Sequence, residues 1–302
     1  MDTNPASLIT KAASKQTYYT IRFLADRERV DDAYRAYGYF RWVDDILDSD
    51  AGTASERMTF LDRQKSLLES CYRGESPRDL SAQEKLLVEL VEHDQEKNSG
   101  LRSYLRNMML VMDFDARRRG ALISQVELNE YTRWLAIAVT DALHHFVGHD
   151  DFAPGDETRY LAVSAAHITH MLRDTYDDVQ AGYFNIPDEV LEAKHIGPLD
   201  VHSDAYRAWV RSRIQLAREY FEAGHVYFRR ARNLRHRLAG CAYMARFEWL
   251  LDTFEREGYS LRPQYSERKS MGTGLRMSWL ALASMINLSG AGRLSQTVAV
   301  RH

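Results

Sequence analysis

The sequence predicts an all-α protein, a helical bundle, on three observations. Helix breakers are sparse, with 16 glycines and 6 prolines in 302 residues. Apolar residues recur at the i, i+3, i+4 spacing that lines one face of a helix. No stretch shows the strict apolar/polar alternation of a half-buried strand.

Taken in chain order, the first stripe runs through Leu101, Tyr104, Leu105, Met108 and Met112. A second runs through Tyr131, Leu135, Ala138 and Ala142, and a third through Tyr206, Trp209, Val210, Ile214, Ala217, Phe221 and Phe228. Turn-forming segments punctuate them: Asp50 to Glu56, Arg73 to Asp79, Gly148 to Glu157, Ala181 to Pro187 and Ile196 to Asp200. These separate helices and do not look like linkers. The chain therefore reads as one domain over residues 1–302, with 1–13 and 290–302 as flexible tails.

Composition narrows the function classes. The net charge is −3, which offers no basic face for nucleic acid. Arg117 to Arg119, and the group Arg229, Arg230, Arg232, Arg235 and Arg237, read as solvated helix faces. Two cysteines, Cys71 and Cys241, give no disulfide framework and point to a reducing compartment, the cytoplasm. The first residues lack the apolar centre of a signal peptide, and no run reaches the ~18 apolar residues of a membrane span. The longest, Trp279 to Leu288, could lie on a membrane surface as a peripheral contact, although core packing is the commoner outcome.

The chemistry concentrates in "YGYFRWVDDILDSD", Tyr37 to Asp50. Asp44 and Asp48 are four apart, so a helix sets both carboxylates on one face, one turn apart. Like charges in that register destabilise a helix. A hard divalent cation between them offsets the cost, and Mg²⁺ arrives with phosphate oxygens as its further partners. The same device returns in "HITHMLRDTYDDVQAGYFNIP", where Asp174 and Asp178 are again four apart, with Asp177 beside them. Two such pairs on facing helices of a bundle are a familiar way to hold metal ions. Those ions would stabilise a leaving diphosphate as Lewis acids.

These motifs resemble those of the squalene/phytoene synthase family of prenyl transferases. Arg41, Asp44, Asp45 and Asp48 match its first aspartate-rich motif, and Arg173, Asp174, Asp177 and Asp178 match its second. "ASKQTYY" resembles its N-terminal segment, retaining Ser14 and Lys15 with Gln16 in place of serine. "REYF" from Arg218 and "FEREGYSL" from Phe254 resemble its later helices, so the likeness spans roughly Ser14 to Lys269.

The resemblance implies an isoprenoid-synthase helical bundle with a central cavity. It implies Mg²⁺-dependent ionisation of one isoprenyl diphosphate, farnesyl or geranylgeranyl. Head-to-head attack by a second would pass through a cyclopropyl diphosphate to a C30 or C40 hydrocarbon. Squalene-type members use NADPH in the second half and phytoene-type members do not; no residue pattern here marks an NADPH site. Asp44, Asp45, Asp48, Asp174, Asp177 and Asp178 become the expected metal ligands. Ser14, Lys15, Tyr37, Arg41 and Arg173 become expected substrate contacts. Tyr131 falls where the family places a tyrosine that handles the proton lost on cyclopropane formation, a role a phenol near diphosphate can fill. Tyr37, Phe40, Trp134, Phe146 and Phe247 could wall a carbocation, although any one of them alone is more often simple core.

Three departures stand out. His167 and His170 occupy positions where the family has glutamine and asparagine. With Asp174 they share one helix face at i, i+3, i+7. They could line the cavity and accept a proton, or support the aspartates by hydrogen bonding. Ile137 and Thr140 replace the glycines of a kinked helix, which should leave the cavity narrower or differently bent. Gln180, Ala181 and Tyr183 stand where arginines are common, weakening the hold on a second diphosphate.

Other readings follow from these departures. One is a lyase on the same fold acting on a single isoprenyl diphosphate. Another is a non-catalytic scaffold, against which the retained, costly aspartate pairs argue. "LHHFVGHDD" prompts a last one, a metallohydrolase through His144, His145, His149 and Asp150, although adjacent histidines point to different helix faces.

Overall fold

The computed structural model describes residues 5–49, 52–75, 77–149 and 155–265. Among them are eleven α-helices and no strand, as the apolar spacing predicts. One isolated bridge pairs Ile123 with Pro187. The described chain falls into two compact units.

The first unit comprises residues Met1–Arg119 and Asn129–Asp150. It contains α1 (Pro5–Ala13), α2 (Lys15–Leu24), α3 (Val30–Asp48), α4 (Ala54–Tyr72), α5 (Ala82–His93), α6 (Gly100–Arg118) and most of α7 (Gln125–Phe146). Residues 5–13, expected to belong to a flexible tail, form α1 instead. Ala6, Ser7 and Thr10 are buried there, and Ala6 packs with Tyr18 and Tyr34, so apolar burial anchors the segment. The rings of Tyr18 and Tyr34 stack at 5.4 Å, and Tyr34 donates a 3.1 Å hydrogen bond to the Tyr18 carbonyl. The tail expected at 290–302 and the Trp279 to Leu288 run lie outside the described residues.

Helix starts follow local chemistry. Thr53 with Glu56 and Ser81 with Glu84 form capping boxes that open α4 and α5. Ser99 caps α6. The next residue must be small: a Cβ on Gly100 would stand 2.8 Å from the Asp141 carbonyl, so α6 and α7 meet here backbone to backbone. Ser103 donates to Asp141 across the same contact at 2.5 Å. Leu61, Leu87, Leu90, Leu101 and Leu105 form the fully buried centre, each contributing about 1.5–3 kcal/mol by leaving water.

The second unit comprises Gly120–Leu128 and Asp151–His302. It holds the first four residues of α7 with α8 (Leu161–Ala181), α9 (Asp188–Lys194), α10 (Asp204–Arg230) and α11 (Leu234–Arg256). The third apolar stripe becomes the inner face of α10, where Tyr206, Val210, Ile214, Ala217, Phe221 and Phe228 are buried. Gly224 lets α10 approach α8, since a Cβ there would meet Ala162 at 2.8 Å.

Each sequence-expected break separates helices, but breaks at 25–29, 94–99, 119–124 and 231–233 were not marked by Gly/Pro clusters. No helix among the described residues is long and apolar enough to cross a membrane.

Candidate active site

In the first unit, Asp44 and Asp48 occupy the last two turns of α3, with Asp48 as its final residue. A carboxylate there opposes the helix dipole, so both acids stand in an unfavourable field without a cation. Burial, then the nearby Asp48 charge, pushes the Asp44 carboxyl up to about 6. Burial also raises Asp48, against the pull of Arg119 and Arg41. Arg41 is spent on its own motif. It lies 3.3 Å from the Asp44 carboxylate and forms a closer ion pair with Asp45. Arg41 and Asp45 are exposed and Asp44 is half-buried, so the Arg41–Asp45 pair adds little stability and leaves the guanidinium exchangeable.

Tyr131 is buried on α7, and its hydroxyl donates a 2.9 Å hydrogen bond to Asp115 on α6. Arg118 Nε donates to the other Asp115 oxygen at 2.8 Å, and its guanidinium stacks 4.9 Å over the Tyr131 ring. Burial, then the Asp115 charge, holds the Tyr131 phenol well above its ordinary range, so it stays protonated. Burial raises the Asp115 carboxyl too, opposed chiefly by Arg118. The Asp115 charge is also felt at Asp44. Asp44, Asp48, Asp115 and Tyr131 thus form one electrostatically coupled acidic group.

Asp115 was missed in the sequence. The signal was present, because it continues the Met108, Met112 stripe of α6 and so puts a charge on an apolar face. The Arg117 to Arg119 run must also be corrected. Arg117 is solvated and pairs with Asp113, but Arg118 is 8 % exposed and committed to Asp115. In the second basic group Arg229, Arg230, Arg232 and Arg235 are exposed as expected, but Arg237 is half-buried with its Nε shielded from solvent, so the reading as a solvated face fails there.

In the second unit, α8 carries the other motif. Arg173 Nε donates to Asp174 at 2.5 Å, and its Nη2 reaches both Asp174 and His170. His170 Nε2 lies 3.3 Å from the Asp174 carboxylate, and its ring meets Phe247 edge-on at 6.4 Å. His170 is exposed whereas His167 is buried, so the two departures differ in environment. Asp177 is exposed. Asp178 accepts a 2.7 Å hydrogen bond from Asn185. The helix stops at Gly182, whose φ of 87° is a left-handed cap open to glycine at little cost. Its neighbour Tyr183 closes the turn by donating to the Asp178 carbonyl at 2.7 Å, which orients the motif's last turn.

The remaining expected contacts are in the first unit. Ser14 is the N-cap of α2 and accepts from the Thr17 amide at 3.2 Å. Lys15 is exposed at the first position of that helix, and Tyr37 is half-buried on α3. Ile137 and Thr140 lie within the unbroken α7, as expected where glycines are absent. Of the aromatic candidates, Phe40, Phe146 and Phe247 are buried and Trp134 is half-buried, meeting Phe114 edge-on.

Comparisons with known proteins agree with this architecture. The squalene/phytoene synthase family profile matches residues 10–271. The presqualene diphosphate synthase of Zymomonas mobilis is 28% identical over 195 residues, 64% of this chain. The aligned stretch spans 62% of that relative's length. Among solved structures, squalene synthase HpnC from Alicyclobacillus acidocaldarius superposes with a TM-score of 0.67 at 17% identity, covering 85% of this chain and 94% of that one. A dehydrosqualene synthase complex gives 0.69 at 17% identity, covering 94% and 95%. At that identity the two structures speak for the fold alone. With a family match running through both units, the chain belongs to the squalene/phytoene synthase family.

Proposed function

We propose that this chain is a Mg²⁺-dependent prenyl transferase that joins two isoprenyl diphosphates, farnesyl or geranylgeranyl, head-to-head. The observation that carries the reading is the coupled acidic group of Asp44, Asp48, Asp115 and Tyr131 in a chain of this family.

The donors suit the metal. Asp44 and Asp48 offer hard oxygen ligands on one helix face, and the raised Asp44 carboxyl marks a repulsion that a hard cation would relieve. Asp174 and Asp178, with Asp45 and Asp177 beside the two pairs, would hold further ions. Bound Mg²⁺ would supply Lewis-acid stabilisation of the departing diphosphate.

The chain's own groups do the rest. Arg41 and Arg173 now satisfy motif carboxylates and can transfer their donors to diphosphate oxygens. Ser14 and Lys15, at the start of α2, offer a helix N-terminus and an ammonium to an anion. Tyr131 can take the proton lost as the cyclopropane closes while its own proton passes to Asp115, so the relay ends in a neutral carboxyl. Phe40 and Trp134, of the first unit, are aromatic side chains that could stabilise a cation.

One observation favours a second reading, a lyase acting on a single isoprenyl diphosphate. His170 contacts Asp174, which places a titratable group beside the motif where the family carries an amide. The Zymomonas relative's name also raises a reaction that ends at the cyclopropyl diphosphate.

Incubation of the purified chain with Mg²⁺ and farnesyl or geranylgeranyl diphosphate, with and without NADPH, separates these. A C30 or C40 hydrocarbon supports full coupling. A C30 or C40 diphosphate in the aqueous phase, released by phosphatase, supports coupling that stops at the cyclopropane. A C15 or C20 hydrocarbon or alcohol as sole product sinks coupling in favour of the lyase.

A further inference from the structure

We infer that Glu96, His145 and His149 form a transition-metal site of the Zn²⁺ type, separate from the aspartate motifs. Three segments of the first unit converge here: the loop after α5, the last turn of α7 and the turn that follows it. One ligating atom from each lies within 4.8 Å of the others. Glu96 Oε1 is already 2.7 Å from His149 Nε2, and the two imidazole rings stand 5.4 Å apart at 79°. A tetrahedral Zn²⁺ with bonds of about 2.1 Å needs its ligand atoms roughly 3.4 Å apart. Side-chain rotation by about an ångström closes the set.

The scaffold holds these ligands in place. The His149 amide donates to the Asp26 carboxylate at 3.0 Å, and the Asp26 amide donates to the Phe146 carbonyl at 2.7 Å. The histidine-bearing turn is therefore tied to the segment that precedes α3. His145 is buried against the edge of Phe146.

A guanidinium already faces this pocket. Arg29 Nη1 lies 2.9 Å from Nδ1 and 2.7 Å from Nε2 of His145, and Nη2 donates to Glu96 at 3.1 Å. An imidazole that faces a guanidinium must be neutral, which is the form that ligates metal. Two imidazoles and one carboxylate with a remaining open position are a zinc-type donor set, whereas Mg²⁺ prefers oxygen alone. Arg29 is the internal competitor: its side chain is 19% exposed at the start of α3, and it must swing outward when the ion enters. A network that exists only to hold Arg29 would take up no metal.

The test uses the tag-free full chain dialysed against Zn²⁺ in excess Mg²⁺, with bound zinc read by atomic emission and site geometry by Co²⁺ absorption. The expected result is one Zn²⁺ per chain. Glu96→Gln and His149→Gln should each weaken binding by about 10-fold or more, and Arg29→Gln should strengthen it several-fold. Asp44→Asn should leave it unchanged. Glu96 is exposed, so its variant decides the matter even if a histidine variant misfolds. No zinc uptake by either the natural chain or Arg29→Gln overturns the proposal. So does uptake that Glu96→Gln leaves intact.

Discussion

The Tyr131 hydroxyl donates to Asp115 across 2.9 Å, and Arg118 holds the far oxygen of the same carboxylate. One side chain on α6 thus orients both the phenol and the arginine stacked on it. Asp115→Asn should keep the phenol in place but remove the charge that receives its proton. A drop in kcat on the order of 10²-fold, with KM nearly unmoved, is expected. Tyr131→Phe should match it, and the double variant should fall little further, because the two act as a unit. Steady-state kinetics of the three variants check this; additive losses would contradict a shared relay.

Asp44 should cost the metal-free protein stability near neutrality. Its folded value, about 6, lies above the ordinary 3.8. The folded state therefore binds the proton more tightly, and the penalty grows as pH rises between those values and is full above the higher one. Asp44→Asn should melt higher than the parent at pH 7, by at most about 1 kcal/mol after solvent screening. The advantage should vanish near pH 4. Thermal melts across that range without metal decide it, and an advantage independent of pH would rule out the charge as its origin.

Asp174→Asn and Asp178→Asn each remove an expected ligand from α8. Loss of turnover by at least about 10²-fold is expected, with far-UV circular dichroism unchanged. Added Mg²⁺ with diphosphate should also raise the melting temperature of the parent more than that of either variant. Turnover retained in either variant would remove that residue from the site.

His170 is exposed and joined to Arg173 and Asp174. His170→Asn should change stability by no more than about 0.5 kcal/mol while shifting the product profile. Gas chromatography of the extracted products reads the shift. An unchanged profile would make the histidine a mere support for Asp174.

Ser14 has a structural duty as well as an expected binding role. Ser14→Ala should cost about 1 kcal/mol through the lost cap of α2. If the serine also binds substrate, KM for the diphosphate should rise, whereas Ser14→Asp should recover the melting temperature but not KM. A KM unchanged in both variants would confine Ser14 to capping.

The legible parts of this protein are those written in local spacing. The α3 and α8 motifs, the α10 face and about half of the breaks between helices could be read directly, because register on a helix follows from residue number. The breaks at 94–99 and 119–124 were harder: the first is a polar run without glycine or proline, and the second is carried by a single glycine, Gly120, at φ 82°. Arg118 misled for a related reason. A run of three arginines reads as solvated, and only packing against Tyr131 buries the middle one.

By itself the sequence determined that the chain is helical, where its two aspartate pairs lie and which family they resemble. Each of those depends on neighbours within one or two helical turns. The tertiary structure alone decided that Asp115 hydrogen-bonds Tyr131, that residues 5–13 pack as a helix, and that Glu96 meets His145 and His149. Those relationships join residues distant along the chain. Burial of the apolar faces sets which helices touch, and the polar partners follow from that packing.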